Sequence, residues 1–216
     1  MKIIDISVPI SNNMPIWLGD PPVEFEKLSS IDQGDSVNTT ALKMSVHTGT
    51  HIDAPYHFIE SGQRVDQISL DKLIGEVFVM VIDDGIDVIT EKVLKTHPAN
   101  HQLRETPKVL FRTRNSHFWK DQAHDFNRGY VGIDKSGAEF LKQRQLELIG
   151  IDYLSIAPYA DTKNPHEILL SNGTILLEGL NLINVSEGIY NLLCLPLNIS
   201  NCEGAPCRAA LIDHSE

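Results

Sequence analysis

Hydrophobic and polar positions change period along the chain, and each change marks an element. Residues 3–10, IIDISVPI, alternate for part of their length and predict a strand. Residues 13–22, NMPIWLGDPP, hold too much proline and glycine for regular structure and predict a loop carrying an exposed Trp17. Strands are predicted over Val23–Leu28 and Ala41–His47. Val77–Ile82 is a continuous apolar run rich in β-branched residues, as in a strand buried on both faces. Thr90–Thr96 predicts a short helix capped by Thr90, and Lys108–Thr113 a strand. Asp134–Arg144 has helical spacing, with Asp134 as its cap and Leu141 turned inward. Leu146–Asp152 returns as a strand, and Pro165–Leu170 is a short helix with Pro165 in its first turn. Leu192–Leu197 and Arg208–Ile212 are late strands. There is no internal repeat, low-complexity tract or linker. A strand-rich order with a few interposed helices predicts one domain over residues 1–216, α/β or α+β in class.

Charge narrows the partners. Eighteen Lys and Arg against 29 Asp and Glu give a formal net charge of −11, the opposite of a nucleic-acid footprint. No apolar run approaches the ~18 residues of a membrane span. Cys194, Cys202 and Cys207 cannot all pair within the chain and fit no zinc ribbon or CxxC motif, so they read as free thiols in a reducing compartment. The first residues have no long apolar run and do not read as a signal peptide, so a cytoplasmic protein is expected. Nine histidines are the unusual count, because imidazole is both a metal ligand and a proton carrier near neutral pH.

Three of those histidines fall in one stretch, His47-Thr-Gly-Thr-His51-Ile-Asp53-Ala-Pro-Tyr-His57. Gly49 and Pro55 make a helix a poor carrier. On an extended backbone alternate side chains share a face, so His47, His51 and Asp53 would converge. Two imidazoles and a carboxylate suit Zn²⁺, Mn²⁺ or Fe²⁺. His57, just past Pro55, is placed to act as a general base or to bind metal itself. The zincin HExxH and the serine-hydrolase GxSxG are both absent.

HTGTHIDAPYHF resembles the HxGTHxDxPxHF signature of the metal-dependent cyclase/hydrolase family, which includes bacterial kynurenine formamidase and isatin hydrolase. The similarity continues in the Pro-x-Trp-x-Gly-Asp loop, in KVLFRTRN, in HEILLSNGTILLEGLNL and in the tail LPLNISNCEGAPCRAALI. It implies a compact swivelling β/β/α domain with a mixed sheet and flanking helices, assembled as a homodimer or homotetramer. His47, His51 and Asp53 would be ligands of a first metal. Asp53 would bridge to a second ion held by His166 and Glu178. Zn²⁺ is the first candidate and Mn²⁺ the second, at one or two ions per subunit. His57 would be the catalytic acid/base, and Trp17 would wall a pocket for a planar aromatic substrate.

Read alone, His166 is a cap or surface residue. Glu178 is an ordinary carboxylate, except that it interrupts the apolar stretch 175–182, where a charge is costly unless paired. The implied activity is hydrolysis of a small aromatic amide by a metal-activated water, with N-formylkynurenine first. Cyclic amides or lactones such as isatin, or a polyketide-type cyclisation, are alternatives. Two departures bear on substrate and metal count: Ala157 stands where many members carry an acid, and His166-Glu167 where many carry a His pair.

Overall fold

The computed structural model describes residues 1–119 and 125–214. The strands are β1 (Lys2–Asp5), β2 (Glu24–Ser29), β3 (Thr39–Lys43), β4 (His51–Asp53), β5 (Ile74–Val81), β6 (Lys108–Arg112), β7 (Leu148–Ile151), β8 (Ile175–Glu178), β9 (Gly188–Pro196) and β10 (Gly204–Asp213). The helices are α1 (Glu91–Thr96), α2 (Gln102–Glu105), α3 (Lys135–Lys142) and α4 (Lys163–Leu170).

Eight strands form one mixed sheet in the order β1-β10-β4-β8-β7-β6-β5-β9, and β9 also pairs with β10. That last pairing closes seven strands into a ring, with β1 attached outside it along β10. The run β5-β6-β7-β8 is parallel, and its three crossovers carry the four helices found among the described residues. All the other pairs are antiparallel.

The strands explain the continuous apolar runs. Val77, Val79, Leu110, Leu148 and Leu177 point inward and meet Ile52, Leu192, Cys194, Ala209 and Leu211 from the remaining strands of the ring. Their neighbours Phe78, Met80, Val109, Phe111, Ile149, Ile151 and Leu176 point outward, under Leu94, Leu103, Phe140, Leu141 and Leu169 of the helices. Each of β5 to β8 is therefore buried on both faces. The helix caps follow the sequence: Thr90 Oγ1 accepts from Val93 N at 3.2 Å, and Asp134 Oδ1 from Gly137 N at 2.8 Å. Leu141 is buried, as its spacing predicts.

Four expectations are corrected. The first strand ends at Asp5, because the chain turns off β10 after Ile6 and bridges to Leu180 through Ser7. The strand expected to reach His47 stops at Lys43; a turn follows, with Gly49 at φ +70°. So β4 alone is extended within the histidine stretch, and His47 reaches the cluster around a turn rather than along a pleat. Trp17 is half-buried, its ring edge-on to Phe126 at 5.0 Å. The pattern also leaves out α2 and gives no strand to β8, whose four residues are too few to show a period.

Candidate metal centre

The centre lies where β4 meets β8. In that antiparallel pair His51 stands directly opposite Glu178, and Asp53 opposite Leu176. Ile52 and Leu177 fill the ring interior, so their neighbours His51, Asp53 and Glu178 must face outward. Among the described residues no helix covers β4 as helices cover β5 to β8, and α4 presents His166 to Glu178. His51, Asp53, Glu178 and His166 are each under 5% exposed.

Backbone acceptors fix two of the imidazoles. His51 Nδ1 lies 2.9 Å from Gly49 O, and His166 Nδ1 lies 2.5 Å from Thr162 O. A carbonyl only accepts, so both Nδ1 atoms carry the proton and both Nε2 atoms turn to the carboxylates. His51 Nε2 is 3.5 Å from Asp53 Oδ1 and 3.5 Å from Glu178 Oε2. His166 Nε2 is 3.2 Å from Glu178 Oε1 and 3.7 Å from Asp53 Oδ2. A lone pair facing a carboxylate at these distances is repulsive unless a cation, a proton or a metal, sits between them.

His47 Nδ1 lies 2.8 Å from Asp53 Oδ1, while its Nε2 and Asp53 Oδ2 are buried without a hydrogen bond. Ligand atoms of His47, His51 and Asp53 lie within 4.8 Å of one another, as do those of Asp53, His166 and Glu178. Two donor triads thus share one aspartate. Two orphaned buried atoms, fixed tautomers and an N/O donor set fit one or two divalent cations.

Burial opposes charge throughout the cluster, and the neighbours decide the outcome. Burial disfavours a proton on His47, but Asp53, Glu178 and Glu203 outweigh it and raise its pKa to about 9. His166 is likewise raised by Glu178 and Asp53 against burial. Burial pushes both carboxylates up, yet the surrounding histidines hold Asp53 and Glu178 below their usual values. His57 goes the other way. Burial, together with His47 and His166, lowers it despite the pull of Asp53. It ends the short helical turn Pro55–His57 and stacks on His47 at 4.1 Å, outside both triads.

A cavity of about 210 Å³ opens over these residues. Trp17, Asp20, Phe58, Leu154, Ser155 and Thr162 complete its wall. All seven site residues named from the sequence line it or touch the cluster. Sequence reasoning missed four contributors. Phe58 stacks on His166 at 4.5 Å, Asp20 lies beside Trp17 in the wall, and Glu203 approaches His47 Nε2 at 3.5 Å. Buried Asp152 accepts hydrogen bonds from both N–H and both hydroxyl groups of Thr113 and Ser116, at 2.6–3.1 Å. That anchors the segment 114–119, whose Trp119 Nε1 donates to Leu180 O, two residues past Glu178. Phe58 and Glu203 fall within the signature stretch and the tail segment respectively; nothing local marked Asp152. Of the two departures, Ala157 is buried and gives its carbonyl to Tyr130 O–H, and Glu167 pairs with Lys163 along α4.

The Cyclase family model matches residues 4–158. The chain is 37% identical to Cyclase-like protein 3 of Oryza sativa subsp. japonica, over 98% of this chain and 80% of that protein. It is 34% identical to a kynurenine formamidase of Bacillus cereus, over 96% of each chain. A solved structure described as a potential metal-dependent hydrolase with cyclase activity superposes with a TM-score of 0.82 at 30% identity, covering 100% of this chain and 99% of the other.

Proposed function

The chain belongs to the Cyclase family, and on that premise we propose that it is a metal-dependent hydrolase of a small aromatic amide, with N-formylkynurenine the first substrate to test. The observation that carries this is the pairing of two triads on one aspartate with an imidazole outside both. His47, His51 and Asp53 would hold a first cation, and Asp53, His166 and Glu178 a second. The imidazole and carboxylate donors favour Zn²⁺ first and Mn²⁺ second. When bound, such a cation polarises an amide carbonyl and makes a nearby water acidic.

The chain's own residues do the rest. His57, with its pKa lowered, is a free base near neutral pH; it takes the proton of the attacking water and returns it to the leaving nitrogen. Trp17 offers a ring face at the cavity wall, held by Phe126 and Tyr159, for the substrate's aromatic ring. Turnover of that formamide would put the enzyme in tryptophan catabolism.

No helix among the described residues is long and apolar enough to cross a membrane, and the three cysteines are free thiols, in keeping with a cytoplasmic enzyme. We assign it a homo-oligomeric state, a dimer or tetramer. The apolar residues exposed on β2 and β3 support this, because such a surface calls for a cover.

Turnover of N-formylkynurenine, isatin and a simple aryl lactone by the metal-loaded protein tests the assignment. We expect the formamide to be preferred, and His57→Ala to lose about 10²–10⁴ in kcat while keeping its metal. Preference for isatin or the lactone reassigns the substrate, and an unimpaired His57→Ala enzyme removes the proposed base.

A further inference from the structure

Four of the six buried or half-buried donors around the proposed centre have an explained orientation: His51 and His166 are set by carbonyls, and Asp53 and Glu178 by strand register. His47 has neither support, though its ring stacks on His57 at 4.1 Å. It sits on a turn, 17% exposed, and its Nδ1 faces Asp53. Its Nε2 is buried, without a hydrogen bond, 3.5 Å from Glu203 Oε1. Among the described residues, His47 is the one ionic partner of the Glu203 side chain.

The backbone brings this carboxylate to His47. Ala54 N donates to Glu203 O at 2.8 Å, which ties the residue before β10 to the end of β4. Gly204 then lets β10 pass directly against the imidazole. A Cβ at that position would lie 2.8 Å from His47 Cε1 and 2.7 Å from Ile52 O. Glu203 is thus carried over the far edge of the ring by a ladder that also holds His51 and Asp53.

We propose that Glu203 is a positioning residue for the metal centre, which accepts the Nε2–H of His47 and so presents Nδ1, as a lone pair, to the cation. A metal-binding imidazole ordinarily gives its other N–H to a carboxylate or carbonyl, which fixes the ring and makes the ligand more basic. His51 and His166 already have such an acceptor in a carbonyl, and Glu203 supplies the third. This rests on the metal reading given above.

Zinc affinity of the chelator-stripped full chain, by competition with a chromophoric chelator, tests it for wild type, Glu203→Ala and Glu203→Gln. Spectra of the zinc-loaded, ¹⁵N-histidine-labelled proteins report the His47 Nε2 proton. Glu203→Ala should weaken zinc binding ten- to a hundredfold and lose that proton to solvent exchange. Glu203→Gln keeps an acceptor oxygen, so it should retain the proton and recover part of the affinity. All three metal-free proteins should remain folded at the assay temperature, since Glu203 is 38% exposed. Zinc affinity of Glu203→Ala within twofold of wild type, or no rescue by Gln, overturns the role of Glu203. A wild-type chain that binds no zinc overturns the metal reading itself, which is a different result.

Discussion

The β4–β8 pair and the β2–β3 hairpin are both antiparallel ladders, and they break the usual rule of burial in opposite directions. Every residue of β4 and β8 is buried, including a histidine, an aspartate and a glutamate. In β2 and β3 nearly every residue is exposed, including Phe25, Leu28 and Leu42. A buried charge needs a counter-charge, and around the first ladder four imidazoles, of which His51 alone lies on it, gather beside the carboxylates. An exposed apolar face needs a cover, and a two-stranded hairpin alone is marginal in water. The first ladder therefore suits the proposed cations, and the second the proposed contact with another copy of the chain.

The largest expected effect comes from the frame behind the buried ladder. Asp152→Ala leaves four buried donors of Thr113 and Ser116 without their acceptor. It should cost about 3 kcal/mol or more in urea unfolding. A cost under about 1 kcal/mol would mean that segment 114–119 is held otherwise.

A smaller effect is written in pH. In the metal-free protein His47 has its pKa raised from 6.5 to about 9, so the folded state binds this proton more tightly than the unfolded chain. The resulting stabilisation is complete below pH 6.5 and is lost as pH rises through 9. It is on the order of 2–3 kcal/mol. Unfolding of chelator-treated protein from about pH 6 to about 9.5 should show this loss, and His47→Gln should flatten it. Equal slopes in the two proteins would show that the His47 proton does not contribute.

The smallest effect belongs to the hairpin. Leu42→Lys should change the stability of the dilute monomer by less than about 0.5 kcal/mol, yet dissociate the oligomer in sedimentation. A loss of about 2 kcal/mol in the monomer would place the cover of Leu42 within its own chain.

The two ladders also differ in how legible they were. The donors His47, His51, Asp53 and His57 sit within eleven residues and could be read as a group, although the pleat expected to join them is a turn at Gly49. His166 and Glu178 were unremarkable in isolation. Only the similarity to known sequences linked them to Asp53, because the register that sets His51 against Glu178 spans more than a hundred residues. The helix caps at Thr90 and Asp134 were local and were legible. Ring closure through β9 and β10 was not, since a strand's pattern tells which faces are buried and not which neighbour it pairs with. Glu203 and Asp152 stayed hidden for the same reason: each acts across strands, on residues far away in sequence.

We propose that the buried ladder holds cations that support amide hydrolysis. The direct test is to strip the protein with a chelator, titrate Zn²⁺ back, and follow ions bound per subunit together with turnover of N-formylkynurenine. Turnover should be absent without metal, and its recovery should saturate at one or two ions per subunit. Full turnover by the metal-free protein would contradict the proposal.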